Sequence, residues 1–195
     1  MCGRYYIAEE DSAAELHEIL EQLNRRGAAV KTGEIYPTDT VPVLANNKSL
    51  VITPFAMKWG YTLPDGKQII NARSETAADK PLFRNGMLQR RYLIPATNYF
   101  EWEKQGRERI KYAIRESDSP MLYMAGVYRV ENGKPVFSIL TRKPAENIAF
   151  IHNRMPVILP NEAKEDWLNM HYSAGDVLKT LCLMNINDVS FMRCD

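Results

Sequence analysis

Cysteine is scarce in this chain of 195 residues, which has only Cys2, Cys182 and Cys194. Three is an odd number and no two form a CxxC pair, so neither a disulfide framework nor a zinc site is expected and at least one thiol is free. Long apolar runs are missing as well. No stretch nears the roughly 18 residues needed to cross a bilayer. The opening MCGRYYIAEED has neither the charged nor the apolar region of a signal peptide. A cytoplasmic protein without a membrane contact is expected. An excess of one charge is absent too: 25 Lys and Arg face 24 Asp and Glu, for a net charge of +1. That is not the strongly basic balance that announces a nucleic-acid binder. No His, Asp or Glu cluster has ligand spacing, so no metal or cofactor is expected and a metal-dependent nuclease is disfavoured. Repeats, low-complexity tracts and linkers are also missing, which leaves one domain over residues 1–195.

What is present is an ordinary folding composition, 45% hydrophobic and 25% charged. Its charges are unevenly distributed. Arg4, Arg73, Arg90, Arg91, Arg142 and Arg154 sit in the most distinctive segments, whereas acids crowd Glu9 to Glu21 and Glu162 to Asp166. One basic face on a neutral protein fits this distribution.

The stretch from Ser12 to Asn24 reads as an amphipathic helix. Leu16, Ile19, Leu20 and Leu23 share a face, Ser12 and Glu15 make a capping box, and Gly27 supplies a stop. Short helices are also expected after Ser74, where Pro81 would limit the run, and after Pro144, Asn161 and Ser173. Between them lie brief strand-like runs: VPVLA at 41, LVITPF at 50, RYLIPA at 91, NYFEW at 98, RIKYAIR at 109, MLYMAGVY at 121 and VFSILT at 136. Ile110, Tyr112 and Ile114 alternate with Arg109, Lys111 and Arg115, as on a half-exposed strand. The turns NNK, PDG and ENG separate neighbours. An α+β fold follows, a β-rich domain of largely antiparallel sheets with short peripheral helices.

Four segments carry chemistry. In the first, Cys2 directly follows Met1, and its small side chain permits methionine removal. A chain starting at Cys2 would carry an α-amine of pKa about 7.7 to 8.0 beside a thiol near 8.5. An amine condenses with an aldehyde to an imine, and an adjacent thiol closes onto it as a five-membered thiazolidine. Taken alone, Cys2 reads more simply as a small buried residue beside a first strand. The second segment, NARSET, spans Asn71 to Thr76. Amides and cations there can face an anion if a helix starts near Ser74, although Ser74 as a mere cap and Arg73 as a solvated charge explain it more cheaply.

The third segment, LIPATNYFEWE, sets Glu101 between Phe100 and Trp102. Apolar neighbours raise a carboxyl pKa and would suit it to proton transfer near neutrality; an outward-facing, ordinary acid is an equal reading. The fourth, FIHNRMPVIL, holds His152 and Arg154 between apolar runs. A histidine there is available for acid–base work and an arginine for gripping phosphate, while a lone histidine of this kind is more often a satisfied boundary residue.

Together, MCGRY, NARSET, the IPA…EW segment and IHNRMPVIL occur in the order and rough spacing of the SRAP family, the SOS-response-associated peptidases that include abasic-site shield proteins. The resemblance runs from residue 2 to residue 159. It implies that Cys2, once Met1 is lost, forms a thiazolidine with the ring-opened aldehyde of an abasic deoxyribose in single-stranded DNA. Asn71 resembles the residue that stabilises the bound abasic site, Glu101 the proton shuttle, and His152 a second acid–base group. Arg4, Arg73 and Arg154 look like phosphate contacts, and Trp59, with Tyr36 and Pro37, like part of the DNA-binding surface. A monomer is expected.

Three departures mark this chain. Asn98 stands where the family usually has glycine, and asparagine tolerates the left-handed region better than most residues. KWGYTLPDG lacks the second tryptophan that often follows a few positions on, so one stacking contact is missing from the pattern. Tyr36 precedes Pro37 where a small residue is common.

Other classes compete with this reading. Cys2, His152 and Asn71 could nominally supply a cysteine peptidase that processes itself. A non-catalytic single-strand binder would use only the arginines and aromatics, and would bind intact and abasic DNA alike.

Overall fold

The computed structural model describes residues 2–8, 13–183 and 189–194. The chain opens with strand β1 (Arg4–Ile7), helix α1 (Ala14–Arg25), β2 (Gly33–Ile35), β3 (Thr40–Asn46) and β4 (Ile52–Trp59). Short strands β5 (Tyr61–Thr62), β6 (Gln68–Ile69) and β7 (Asn71–Arg73) lead to helix α2 (Pro81–Gln89). Five longer strands follow: β8 (Arg91–Ala96), β9 (Asn98–Gln105), β10 (Glu108–Glu116), β11 (Leu122–Glu131) and β12 (Lys134–Arg142). After them come β13 (Met155–Pro156), α3 (Lys164–Leu168), α4 (Ala174–Leu183) and β14 (Val189–Cys194). This is the α+β arrangement of mainly antiparallel sheets that the sequence implies.

Two main sheets carry the fold. The first runs β14-β10-β9-β1-β2, and every described pairing in it is antiparallel. The second runs β11-β8-β3-β4-β12-β13, with β7 also on β12. Because β11 pairs with β12 as well as β8, five of its strands close into a ring and lose their free edges. Two pairings of β12, to β4 and to β7, are parallel. Nothing in local alternation announces a parallel neighbour, and these two pairings fix where Asn71 lies.

The ring is filled by aromatics. Trp59, Tyr92 and Phe137 are all buried. Phe137 stacks near-parallel on Trp59 and tilts against Tyr92, with centroids 6.3 and 5.1 Å apart. Gly126 admits this packing, since a Cβ there would lie 2.0 Å from the Tyr92 hydroxyl. At the β11–β12 hairpin, Asn132 and Gly133 both adopt positive φ, as a type I′ turn requires.

Helix α1 buries Leu16, Ile19 and Leu23, the stripe read from sequence. Ser12 of the expected capping box lies outside the described residues. The helix expected near Ser74 is replaced by turns, and Pro81, expected to limit it, instead starts α2 at the first helical position. Proline fits there because its missing N–H is an orphan anyway and its φ is preset for a helix.

Candidate active site

Asn71 opens β7, directly after a segment fixed from below. The Trp59 indole N–H donates to the Ile70 carbonyl oxygen at 3.0 Å. One residue on, Asn71 is held beside Ile139 of β12 in parallel register. From there its side-chain amide donates to the Cys2 carbonyl oxygen at 2.8 Å. Residue 2 is thereby tied to the second sheet while β1, two residues later, belongs to the first.

Cys2 has no exposed surface. Burial pushes its thiol pKa up, and the negative charge of nearby Glu101 adds to the effect. The thiol is therefore protonated at neutral pH. Tyr5 and Tyr99 stand opposite each other in the β1–β9 pair, and burial pushes both phenols well above their ordinary pKa.

Glu101 stands on β9 with its carboxylate turned inward. Alternation decides this: Phe100 and Trp102, its neighbours, lie on the other face, where Lys111 approaches both rings. Burial raises the Glu101 carboxyl above its ordinary range, and His152 opposes the rise. The two side chains approach to 3.9 Å, between Nδ1 and a carboxylate oxygen. Nδ1 also lies 3.0 Å from the Arg154 backbone nitrogen and 3.2 Å from the Arg154 carbonyl oxygen, so it accepts from the one or donates to the other according to where the ring carries its proton. One buried acid, one imidazole and residue 2 thus share one locus, a set able to give and take protons beside an amine or thiol.

Strands β12 and β13 complete the site. Arg142 pairs with Met155, bringing the segment of His152 and Arg154 back beside β7. The Arg154 guanidinium grips both Glu75 oxygens, at 2.7 and 2.8 Å, and reaches the Thr141 carbonyl. Its hydrogen bond holds the Glu75 carboxyl below the usual range. Arg73 lies exposed nearby and lowers the Glu75 pKa further.

Not every expected residue joins them. Trp59 is fully buried against Tyr5 and Phe137, so it offers no face to a ligand. Trp59 ends β4 with its side chain inside the ring, and the indole supports Asn71 from beneath. Arg4 pairs with Phe100 in register and so lies on the sheet face opposite Glu101. It bonds Glu34 at 3.0 Å and covers the Tyr36 ring at 3.8 Å. Tyr36 is exposed, and Pro37 leads a tight turn in which Thr38 takes a positive φ. This cation–aromatic patch, extended by Lys111 and Trp102, is separate from the acid–base locus. Lys111 was not singled out from sequence, because only pairing with β9 brings it onto the patch.

The model of the family described as SOS response associated peptidase (SRAP) matches residues 1–193. The chain belongs to the SRAP family. Among its SRAP relatives, abasic site processing protein YoqW of Bacillus subtilis (strain 168) is 32% identical, over 93% of this chain and 86% of its own. Abasic site processing protein YedK of Escherichia coli (strain K12) is 29% identical, over 90% and 83% respectively. The SRAP chain also superposes on a crystal structure of a protein from Bordetella bronchiseptica, with a TM-score of 0.77, 20% identity and full coverage of both chains. That last likeness is one of fold.

Proposed function

We propose that this protein processes abasic sites in single-stranded DNA, forming a covalent thiazolidine through Cys2 after Met1 is removed. The observation that carries the reading is the Asn71 hydrogen bond, which holds residue 2 near buried Glu101 and its half-buried neighbour His152. Relatives named abasic site processing proteins along nearly the whole chain support it.

The chemistry follows from that placement. An abasic deoxyribose is mainly a closed hemiacetal, so a proton must leave O1 and another reach O4 for the aldehyde to appear. A carboxyl raised toward neutrality, with imidazole beside it, suits both transfers. The α-amine of Cys2 then adds to the aldehyde carbon, and loss of one water gives the imine. The thiol sulfur adds to the imine carbon while its proton passes to nitrogen, closing the ring. In this reading Asn71 and Glu101 flank the reacting carbon, and His152 relays protons. Arg73 and Arg154 meet backbone phosphates, Arg154 by exchanging Glu75 for phosphate. Tyr36, Pro37 and Arg4 contact the strand further out. The protein acts in the cytoplasm as a monomer, one domain over residues 1–195, needing neither metal nor cofactor. Strand cleavage by elimination from the imine is an accompanying activity.

A cysteine peptidase would need a thiolate in an electropositive, accessible setting. Cys2 is instead buried beside a carboxylate that raises its pKa. The amine-first route makes no demand for a free thiolate.

Intact-mass analysis with single-stranded DNA bearing one abasic site tests the proposal. Wild type should gain the DNA mass less one water. Processed Cys2→Ala should lose the stable adduct but give an imine trapped by borohydride, and a chain with residues added before Cys2 should give neither. A stable adduct from the extended chain, or no trapping with processed Cys2→Ala, would return the peptidase to contention. Equal binding of intact and abasic DNA without any adduct would favour the non-catalytic binder.

A further inference from the structure

Tyr112, Phe150 and Phe191 come from β10, from the segment before β13, and from β14. Their ring centroids lie 5.4 to 5.9 Å apart and every pair meets near edge-to-face. Phe150 is 51% exposed and Phe191 41%. A contiguous group of open aromatic rings on a soluble protein marks a binding surface more than chance placement does.

Its position is fixed by register. Tyr112 stands directly opposite Glu101 in the β9–β10 pair, so ring and carboxyl share a face. Tyr112 also stands opposite Arg193 of β14. One line across the sheet therefore runs from the buried acid, over the Tyr112 ring, to an exposed cation at the edge strand. Phe191, two residues before Arg193, meets the Tyr112 ring diagonally, and Phe150 precedes His152 by two residues. The rings begin where the Glu101–His152 pair ends.

We propose that Tyr112, Phe150 and Phe191 form a stacking platform for the base flanking the lesion on single-stranded DNA, with Arg193 meeting the adjoining phosphate. This rests on the reading of the site given above. Bases stack on aromatic faces whatever their identity, and a cation beside such a face tracks the backbone. The platform thus holds the strand without reading sequence. Two features favour a nucleotide over a second copy of the chain: continuity with the acid–base locus, and a cation bordering the rings.

The test uses single-stranded DNA carrying a tetrahydrofuran abasic analogue, which has no aldehyde, with 2-aminopurine placed on either side in turn. Wild type should quench 2-aminopurine on one flank. Phe150→Ala with Phe191→Ala should abolish the quench and weaken binding roughly tenfold. Phe150→Leu with Phe191→Leu, which keeps apolar bulk without a ring, should abolish the quench likewise. Tyr172→Ala, at an exposed ring elsewhere, should change neither. Unchanged quench and affinity in the leucine variant would overturn the platform. So would a wild-type dimer in sedimentation that the leucine variant loses. Because the analogue cannot react, failure of adduct formation with true abasic DNA would be seen separately.

Discussion

The Asn71 side chain donates to the Cys2 carbonyl oxygen at 2.8 Å, which binds residue 2 to a strand sixty-nine positions away in the chain. Asn71→Ala removes this tether. Misplacing a reacting group by about 1 Å costs about 10² in rate, so adduct formation followed by mass should slow by about that factor. Folding free energy should fall only by about 1 kcal/mol, as for one hydrogen bond. An unchanged rate would show that the tether does not position the nucleophile.

Glu101→Gln keeps shape but cannot exchange a proton, so adduct formation should slow by about 10² to 10⁴. Its effect on stability has a definite sign. Burial raises the folded carboxyl above its ordinary value of 4.5. As pH climbs through that window the folded state holds more protons than the unfolded state, and stability falls. The substitution removes this loss. Thermal melts should show the variant gaining on wild type as pH rises above the ordinary carboxyl value of 4.5, and a gap that stays constant or reverses would refute the raised carboxyl.

Arg154 is occupied by Glu75 in a two-pronged pair. If phosphate must displace that carboxylate, Glu75→Gln should tighten single-stranded DNA binding and steepen its salt dependence. Arg73→Ala should reduce the slope by about 0.7, the value for one phosphate contact on a single strand. Salt titrations of both variants check this. Weaker binding by Glu75→Gln would mean that Glu75 orients Arg154 rather than competing for it.

Gly126 has Tyr92 against it with no space for a methyl group. Gly126→Ala should cost about 1 to 3 kcal/mol by overpacking, read as a lower urea midpoint at unchanged slope. A neutral outcome would mean that the Tyr92 ring can move aside.

The longer strands were legible because alternation and turn residues speak locally. RYLIPA coincides with β8, and the ENG turn joins β11 to β12. The four distinctive segments were legible as strings, and the fold brings parts of them together, with Asn71 bonded to Cys2 and His152 beside Glu101. Partnerships between distant segments were not. Trp59 was expected at the surface because one strand end does not reveal that a ring of strands closes over it. Arg4 was expected to meet phosphate together with Arg73 and Arg154, but only the β1–β9 register shows that it takes the face opposite Glu101. Phe191 drew no attention because its meaning depends on β14 lying against β10.

The complete burial of Cys2 also makes the protein a gauge of its own motion. An alkylating reagent such as iodoacetamide meets that sulfur only when the surrounding chain opens, so with fast reclosing its labelling rate is the intrinsic thiol rate scaled by the fraction of time the site stands open. Cys194, less shielded on the edge strand β14, supplies an internal clock in the same sample. The ratio of the two labelling rates would report how rarely the door to residue 2 stands open, and small aldehydes in the surroundings face the same door.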